Sequence, residues 1–456
     1  TPTQAPAPTA APKPTDAPKP TTAAAAPTTA PVPTTAVAAP TTAPAPTAVA
    51  APTKISFWMK KSLADASNDA LTARVKEFEK QNNVTVDLRI MAYEDFAPQW
   101  SAAIESGNVP DVSFFGYQEV GQYYRQGVLM DVSDLVKDIQ TKNGKLTDSL
   151  TNAVTFESKQ WGVPFWSEST ILFYRKDMFE KAGIKTPPDT WDEFLVDAKK
   201  LTDPKAGVYG AGFGLGRGNS DTEWWMRDIL WSNGATLFNK DGSAAAIDSP
   251  EGRVAFNWLK DIFTTSGVVP PGAIGWDDSG NNKAYLAGQA AMIINVGSVY
   301  YALSTNKDNA ELFKNTGYAL VPKGPKGRFI VGLSNNLGIF KKAKNPEMAK
   351  KLVAFMLDAE WQRVWMKASG YQVVSPYPKL SEDDFWKTEA GKVFTDTPNY
   401  YQFLGYPGPF TPSAGTVANS RLLTNAMEKV VVQNSSVDDA IKALTTDINQ
   451  VISKNK

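Results

Sequence analysis

Residues 159–183, KQWGVPFWSESTILFYRKDMFEKAG, change character halfway along. Apolar and aromatic residues dominate on both sides of a short polar break, and the pattern alone would read as a strand running into a helix that stops at Gly183. Trp166, Glu168 and Ser169 interrupt it. A carboxylate set among buried neighbours costs free energy unless something pairs with it. The interruption is explained if this segment crosses from one half of the molecule to the other and lines the gap between them.

On the N-terminal side, KISFWM from Lys54 reads as a first buried strand, and Leu71, Val75 and Phe78 recur at helical spacing before Asn82 and Asn83. VTVDLRI then alternates Val84, Val86, Leu88 and Ile90 with polar residues, a strand signal. Strand, helix and strand in so short a span predict a βαβ unit in a parallel sheet. VPDVSFFGY from Val109 adds another short buried strand. On the C-terminal side, TPPDTWDEFLVDAKKLT carries turn prolines, a cap at Asp189 or Thr190, and acidic residues in the first helical turn. Trp191, Leu195, Ala198 and Leu201 are expected to form its apolar face. Further helices are expected around Val254, Trp258 and Ile262, and around Ala349, Leu352, Val353 and Met356.

The chain has 456 residues, enough for two domains and an appendage. Its 47 basic and 47 acidic residues balance, so no long-range attraction to a polyanion is built in, and nucleic acid is excluded as an expected partner. The chain has no cysteine, which removes disulfides, thiolate metal sites and thiol nucleophiles. It has no histidine either, which removes the usual general base, the nucleophile–histidine pairs and most zinc sites. No metal, cofactor or catalytic residue is expected. Apolar runs such as AGQAAMIINVG from Ala287 fall well short of the roughly 20 residues that span a bilayer.

Of the first fifty residues, 43 are Pro, Thr or Ala. Such a tract has nothing to bury, and its prolines favour extended chain, so residues 1–53 are expected to be a disordered tether. Thr1 stands where an initiator methionine would, and the expectation is a processed chain once anchored by lipid at a lost N-terminus, on the cell surface or in the periplasm.

Ten blocks then occur in the order of one family: ISFWM, FEKQNNVTVDL, VPDVSFFGY, YRQGVLMDVSDL, WGVPF, LFYRKDMFEKAG, PPDTWDEFLVDAKKLT, NGATLF, AYLAGQAAMIINVGS and GLSNNLGIFKKAKNPEMAKKLVAFML. From Lys54 onward the chain resembles the extracellular solute-binding proteins of sugar ABC importers, the group related to maltose-binding protein. The resemblance implies an α/β, two-lobe periplasmic-binding-protein-like fold of type II, with the lobes joined by several crossing segments around a central cleft. The N-terminal lobe would take residues 54–167 and 329–374, and the C-terminal lobe 168–328 and 375–456. A monomer is expected, with a carbohydrate ligand and permease subunits as partners and the membrane reached only through the tether.

Sugars present hydroxyls that need paired donors and acceptors, and C–H faces that suit flat amphipathic side chains. By the resemblance, Glu168 matches a hydroxyl-contacting glutamate, Trp224 and Trp225 a pair of stacking aromatics, and Tyr117 and Gln118 a strand-end loop that supplies a polar contact. Trp166 lies beside Glu168. Further candidates are Trp276 and Asp277, Ser298 after Gly297, Ser334 and Asn335 where the chain re-enters the first lobe, Tyr371, and Lys60 and Lys61 after the first strand. Two of the family's stacking positions differ. One falls on Val299, and the other falls near Ser420 and Arg421, where no aromatic stands. One alternative keeps the fold and changes the ligand to a polyol phosphate, a polyamine or a metal chelate. Another is a tethered glycoside hydrolase working through a pair of carboxylates such as Glu168 and Asp277 or Asp278.

Overall fold

The computed structural model describes residues 53–216 and 220–455. The expected tether therefore lies, except for Thr53, outside the described residues. Two sheets organise the rest. The strands are β1 (Thr53–Lys60), β2 (Val84–Met91), β3 (Val112–Gly116), β4 (Val163–Glu168), β5 (Ile171–Arg175), β6 (Tyr209–Ala211), β7 (Ala290–Asn295), β8 (Thr316–Ala319) and β9 (Leu333–Ile339). The first sheet has the order β2-β1-β3-β9-β4 and the second the order β8-β5-β7-β6.

The expected βαβ unit is present: β1 pairs in parallel with β2, Thr53 opposite Val84, and with β3, Phe57 opposite Val112. Between β1 and β2 runs α1 (Asp65–Asn82), which buries Leu71, Val75 and Phe78 and ends where Asn83 turns left-handed at φ 50°. Strand β2 is the edge of its sheet, so Val84 and Val86 are buried while Leu88 and Ile90 are only partly covered. Strand β9 runs antiparallel to both β3 and β4, with a register shift between Asn335 and Asn336.

At the C-terminal end of β3 the chain turns directly into α2 (Tyr117–Arg125). Helix α3 (Trp191–Leu201) opens on a reciprocal capping box, with the Thr190 side chain accepting from the Glu193 N–H and the Glu193 carboxylate reaching back. Phe194, not the expected Leu195, fills the deep position between Trp191 and Ala198. Helix α4 (Ser220–Ser232) follows β6. In α5 (Pro250–Thr264) the buried face runs through Ala255, Phe256, Leu259 and Ile262, while Val254 is 58% exposed. One residue is about 100° of helix, so an expectation one position out places the residue on the wrong face. The second sheet's β7 is flanked by α6 (Gly280–Leu286) and α7 (Gly297–Thr305). Helix α8 (Ala359–Ala368) lays Trp361 and Trp365 against Phe165, and α9 (Leu422–Val431) packs on α5.

The break in residues 159–183 is the junction between the sheets. Strand β4 ends at Glu168 and β5 begins at Ile171, leaving Ser169 and Thr170, both 1% exposed, as the whole link. Three other stretches lie beside it. Ser167 and Val374 exchange backbone hydrogen bonds of 2.9 and 2.8 Å. Ile330–Val331 pairs in parallel with Tyr401–Gln402. The Tyr401 hydroxyl donates to the Glu168 carbonyl at 3.0 Å, and it shares a buried hydroxyl cluster with Ser169 and Thr397. A buried hydroxyl needs a partner, and here each provides one for another.

Candidate functional site

Glu168 stands at the C-terminal end of β4, beside the ends of β1 and β3. Its Oε1 accepts from Lys60 Nζ at 3.0 Å and from the Trp166 indole N–H at 3.3 Å. Burial would raise its carboxyl, but the Lys60 charge and hydrogen bond, with the Trp166 N–H, bring it below its usual value. The Lys60 ammonium lies 5.5 Å from the Tyr93 ring centroid, 5.9 Å from that of Phe114 and 6.0 Å from that of Trp166, a three-sided aromatic surround. The Tyr93 hydroxyl donates to Glu119 Oε1 at 3.0 Å. Burial pushes the Glu119 carboxyl up, and the Glu119 charge pushes the Tyr93 hydroxyl well up.

Beside the second sheet stands an acid that the motifs did not point to. Asp221, in the first turn of α4, is 6% exposed, and its Oδ2 accepts from Asn281 Nδ2 at 2.9 Å and Asn295 Nδ2 at 3.1 Å. Burial first, then the charge of Asp278, hold its carboxyl well above the ordinary range; Glu168 adds to the rise and Arg421 opposes it. Groups from β4, the loop before α6 and the start of α9 thus act on one carboxyl. Trp224, three residues on, is partly exposed. A protonated or hydrogen-bonded carboxyl, an ion-paired carboxylate and an indole face can together meet both the hydroxyls and the C–H faces of a sugar.

Several of the expected contact residues lie buried. Trp166 is 4% exposed, stacked on Phe114 at 5.4 Å and packed on Trp365 at 5.5 Å, so it offers no open face and works through its N–H to Glu168. Trp225 is 2% exposed and stacked on Phe213 at 4.4 Å, a core residue. Tyr117 is also buried: its ring packs on Phe403 and Phe410, its hydroxyl accepts the Leu404 N–H at 3.3 Å, and burial pushes that hydroxyl up to about 12. Ser334 is buried with its hydroxyl on Asn336, and Asn335 is buried on the same strand. Each of these sits in or beside a sheet that a second layer covers.

The others are placed as follows. Gln118 is partly exposed beside Glu119. Trp276 is partly buried over Gly280, where an added Cβ would lie 2.4 Å from the Trp276 Cβ and 2.6 Å from its ring. Asp277 is exposed, and its Oδ1 accepts from the Ser279 N–H and hydroxyl, a turn that opens α6. Ser298 donates weakly to Asn295 Oδ1 at 3.4 Å, which ties it to the Asp221 group. Tyr371, left-handed at φ 58°, stacks on Phe385 at 3.8 Å. Lys61 is exposed. The structure therefore brings together Lys60, Trp166 and Glu168, and separately Trp224 and Ser298 with Asp221. The sequence reading missed Tyr93, Glu119, Asp221, Asn281 and Asn295. The only local signal was that Tyr93 follows a strand end and Asp221 precedes an aromatic pair.

Residues 64–363 match the model of a family described as bacterial extracellular solute-binding protein. The chain is similar to the galactooligosaccharide-binding protein of Bacillus subtilis, 26% identical over 397 residues that cover 83% of this chain and 85% of that one. It is also similar to the diacetylchitobiose-binding protein DasA of Streptomyces coelicolor, 23% identical over 391 residues, 84% of this chain and 86% of that one. Among solved structures, maltose-bound MalE3 of T. maritima superposes with a TM-score of 0.74 at 21% identity, over 88% of this chain and 100% of that one. These likenesses show the two-lobe α/β fold of type II.

Proposed function

The chain belongs to the bacterial extracellular solute-binding protein family, and from that premise we propose that it is the receptor of an ABC importer, capturing a sugar or oligosaccharide outside the cytoplasm and delivering it to membrane permease subunits. The family is one of binding proteins rather than enzymes, so the hydrolase alternative falls away. The two sheets support lobes of 54–167 with 329–374 and of 168–328 with 375–456, except that Glu168 closes β4 of the first sheet. The stretch from Phe403 to Phe410, which packs on Tyr117, would then be a contact between them. No helix among the described residues is long and apolar enough to cross a membrane, and the Pro-, Thr- and Ala-rich first fifty residues suit a spacer to a lipid-anchored end.

One observation carries this reading. Glu168 ends β4 of the first sheet, and three residues on Ile171 of β5 stands opposite Asn295 of β7, whose side-chain amide donates to Asp221 of α4 at 3.1 Å, so the two carboxyls lie on either side of the Ser169–Thr170 link. A ligand hydrogen-bonded to both would favour the closed arrangement by its greater affinity for it. A micromolar dissociation constant asks for about 8 kcal/mol, within reach of one stacked ring face and several hydroxyl contacts.

A thermal-shift panel of neutral mono- and oligosaccharides, a polyol phosphate and a polyamine tests it. A bound sugar at about 100 times its dissociation constant adds roughly 2.7 kcal/mol to stability. Stabilisation by the phosphate or the polyamine alone would move the ligand class and leave the fold reading in place.

A further inference from the structure

A cavity of about 490 Å³ lies at the C-terminal end of α2, a size within the roughly 300–1,000 Å³ of small-molecule sites. Tyr124 lines it, five residues after Glu119, which is about 140° round the helix and 7.5 Å along it. The cavity is therefore on the other side of α2 from the Tyr93–Glu119 bond and the Lys60–Glu168 pair.

Its floor is aromatic. Phe156 stacks on Tyr124 with ring centroids 4.9 Å apart and planes 8° from parallel, and Trp161 backs Tyr124 at 4.8 Å. The Trp161 indole N–H donates to the Phe156 carbonyl at 3.1 Å. Pro409 and Phe410 close one side. A Cβ on Gly121 would lie 2.3 Å from the Phe410 ring and 3.3 Å from that of Phe156, so the bare glycine is what lets both rings settle on the helix.

The rim is charged. Arg125 and Glu157 both line the cavity, both are exposed, and neither forms an ion pair with a described residue. Glu157 is held there at a cost. Thr155–Phe156 pairs antiparallel with Lys159–Gln160, so the hairpin turns on Glu157 and Ser158 alone, both left-handed at φ 52° and 62°. Such a turn favours Asn-Gly, and a glutamate in it is strained. Strain of this kind gathers at functional sites.

We propose that this cavity is a second saccharide site, separate from the one between the sheets. A C–H face of the sugar ring stacks on Phe156 and Tyr124, Arg125 donates to its hydroxyl oxygens, and Glu157 accepts from a hydroxyl. A free acid and a free base at one rim select against charge: an anion meets Glu157 and a cation meets Arg125, whereas a neutral polyol uses both. This chemistry belongs to the rim and floor alone, whatever the Glu168 and Asp221 groups hold.

NMR of the full chain reads the cavity through the Trp161 indole N–H, assigned with Trp161→Phe, because that group is bonded to Phe156. Maltose, diacetylchitobiose and a galactooligosaccharide are titrated past saturation of any tighter site, with glucuronate and adenosine as charged and flat aromatic controls. At least one neutral sugar is expected to move the Trp161 resonance in a phase of its own. Glu157→Gln and Arg125→Gln should each weaken that phase about tenfold and leave any tighter phase unchanged. Glu157→Gly should weaken it too while raising the melting temperature, since glycine relieves the left-handed turn, and a substitution that stabilises the fold has not acted by unfolding it. No separate phase at Trp161 with any sugar, a phase that both charge variants leave unchanged, or a response to glucuronate or adenosine where the neutral sugars give none would each overturn the proposal. A chain that binds sugar at one tighter place only loses this site and keeps the receptor reading; a chain that binds no sugar at all loses both.

Discussion

Replacing Lys60 by Met removes the cation that keeps Glu168 ionised. At 3.0 Å the gross attraction is about 5.5 kcal/mol with an effective dielectric of about 20. Desolvating both ions takes back most of that. The side chains are 26% and 19% exposed, between the exposed pairs that contribute roughly 0–1 kcal/mol and the fully buried ones whose breakage costs roughly 3–5. A loss of about 2 kcal/mol at neutral pH is expected. The pH dependence is more diagnostic than the size. In the wild type the Glu168 carboxyl is lowered, so its stabilisation is present above the unfolded value of about 4.3 and is lost as pH falls through the folded one. Without Lys60, burial dominates and the carboxyl rises, so its contribution is present in acid and is lost as pH rises. The wild type and Lys60→Met should therefore converge in acid, below the folded Glu168 value, and diverge toward pH 7. Urea unfolding followed by tryptophan fluorescence measures this, and Lys60→Met/Glu168→Gln should recover most of the deficit. A pH-independent gap, or a double variant as unstable as Lys60→Met, would refute the pairing argument.

Trp225→Ala should cost about 3–5 kcal/mol of stability, since it empties a stacked core position, whereas Trp224→Ala should cost under about 1 and weaken sugar binding tenfold or more; denaturation and calorimetry on both separate the roles. Asp221 is raised by burial, so its contribution to stability is full below about pH 4 and is lost as pH rises through its folded value. Asp221→Asn should flatten that part of the profile, and an unchanged acid-to-neutral slope would count against it. Gly297→Ala places a Cβ 2.3 Å from the Gln372 carbonyl oxygen, backbone against backbone, and should lower the melting temperature by several degrees through about 1–3 kcal/mol of overpacking.

The sheets were legible because strand and helix periods are local. Val84 and Val86 alternate with polar residues, Leu71, Val75 and Phe78 recur at helical spacing, and the Thr190–Glu193 box announces a helix start. Facing was less legible. Trp224 and Trp225 are neighbours about 100° apart on one helix, and only the packing of Phe213 decides which is covered. Trp166 was read as facing the gap, but α8 and Phe114 cover it on its two sides, and no residue near 166 announces that. Asp221, Asn281 and Asn295 form one hydrogen-bonded group from three segments with no shared motif, so their meeting is a property of the fold rather than of any stretch of sequence.

The two-residue link at Ser169–Thr170 explains how such a group can be both fixed and responsive. Bending there alters few residues, because β4 and β5 end on either side of it and stay paired in their own sheets. What holds the link are hydroxyls: Thr397 donates to Ser169 at 2.6 Å, Ser169 and Tyr401 share a bond of 2.8 Å, and Tyr401 donates to the Glu168 carbonyl. Hydroxyl rotors keep a partner through small changes of angle more readily than a paired backbone ladder does. The strand that leads into the link ends at Glu168, and its partner Lys60 ends β1 of the same sheet. A rotation about the link would then move Asp221 and Trp224 relative to Glu168 together, with Asp221 already held by Asn281 and Asn295. The ordering cost of assembling the second half of the site is met on folding rather than on binding, which leaves more of each sugar contact to appear as affinity.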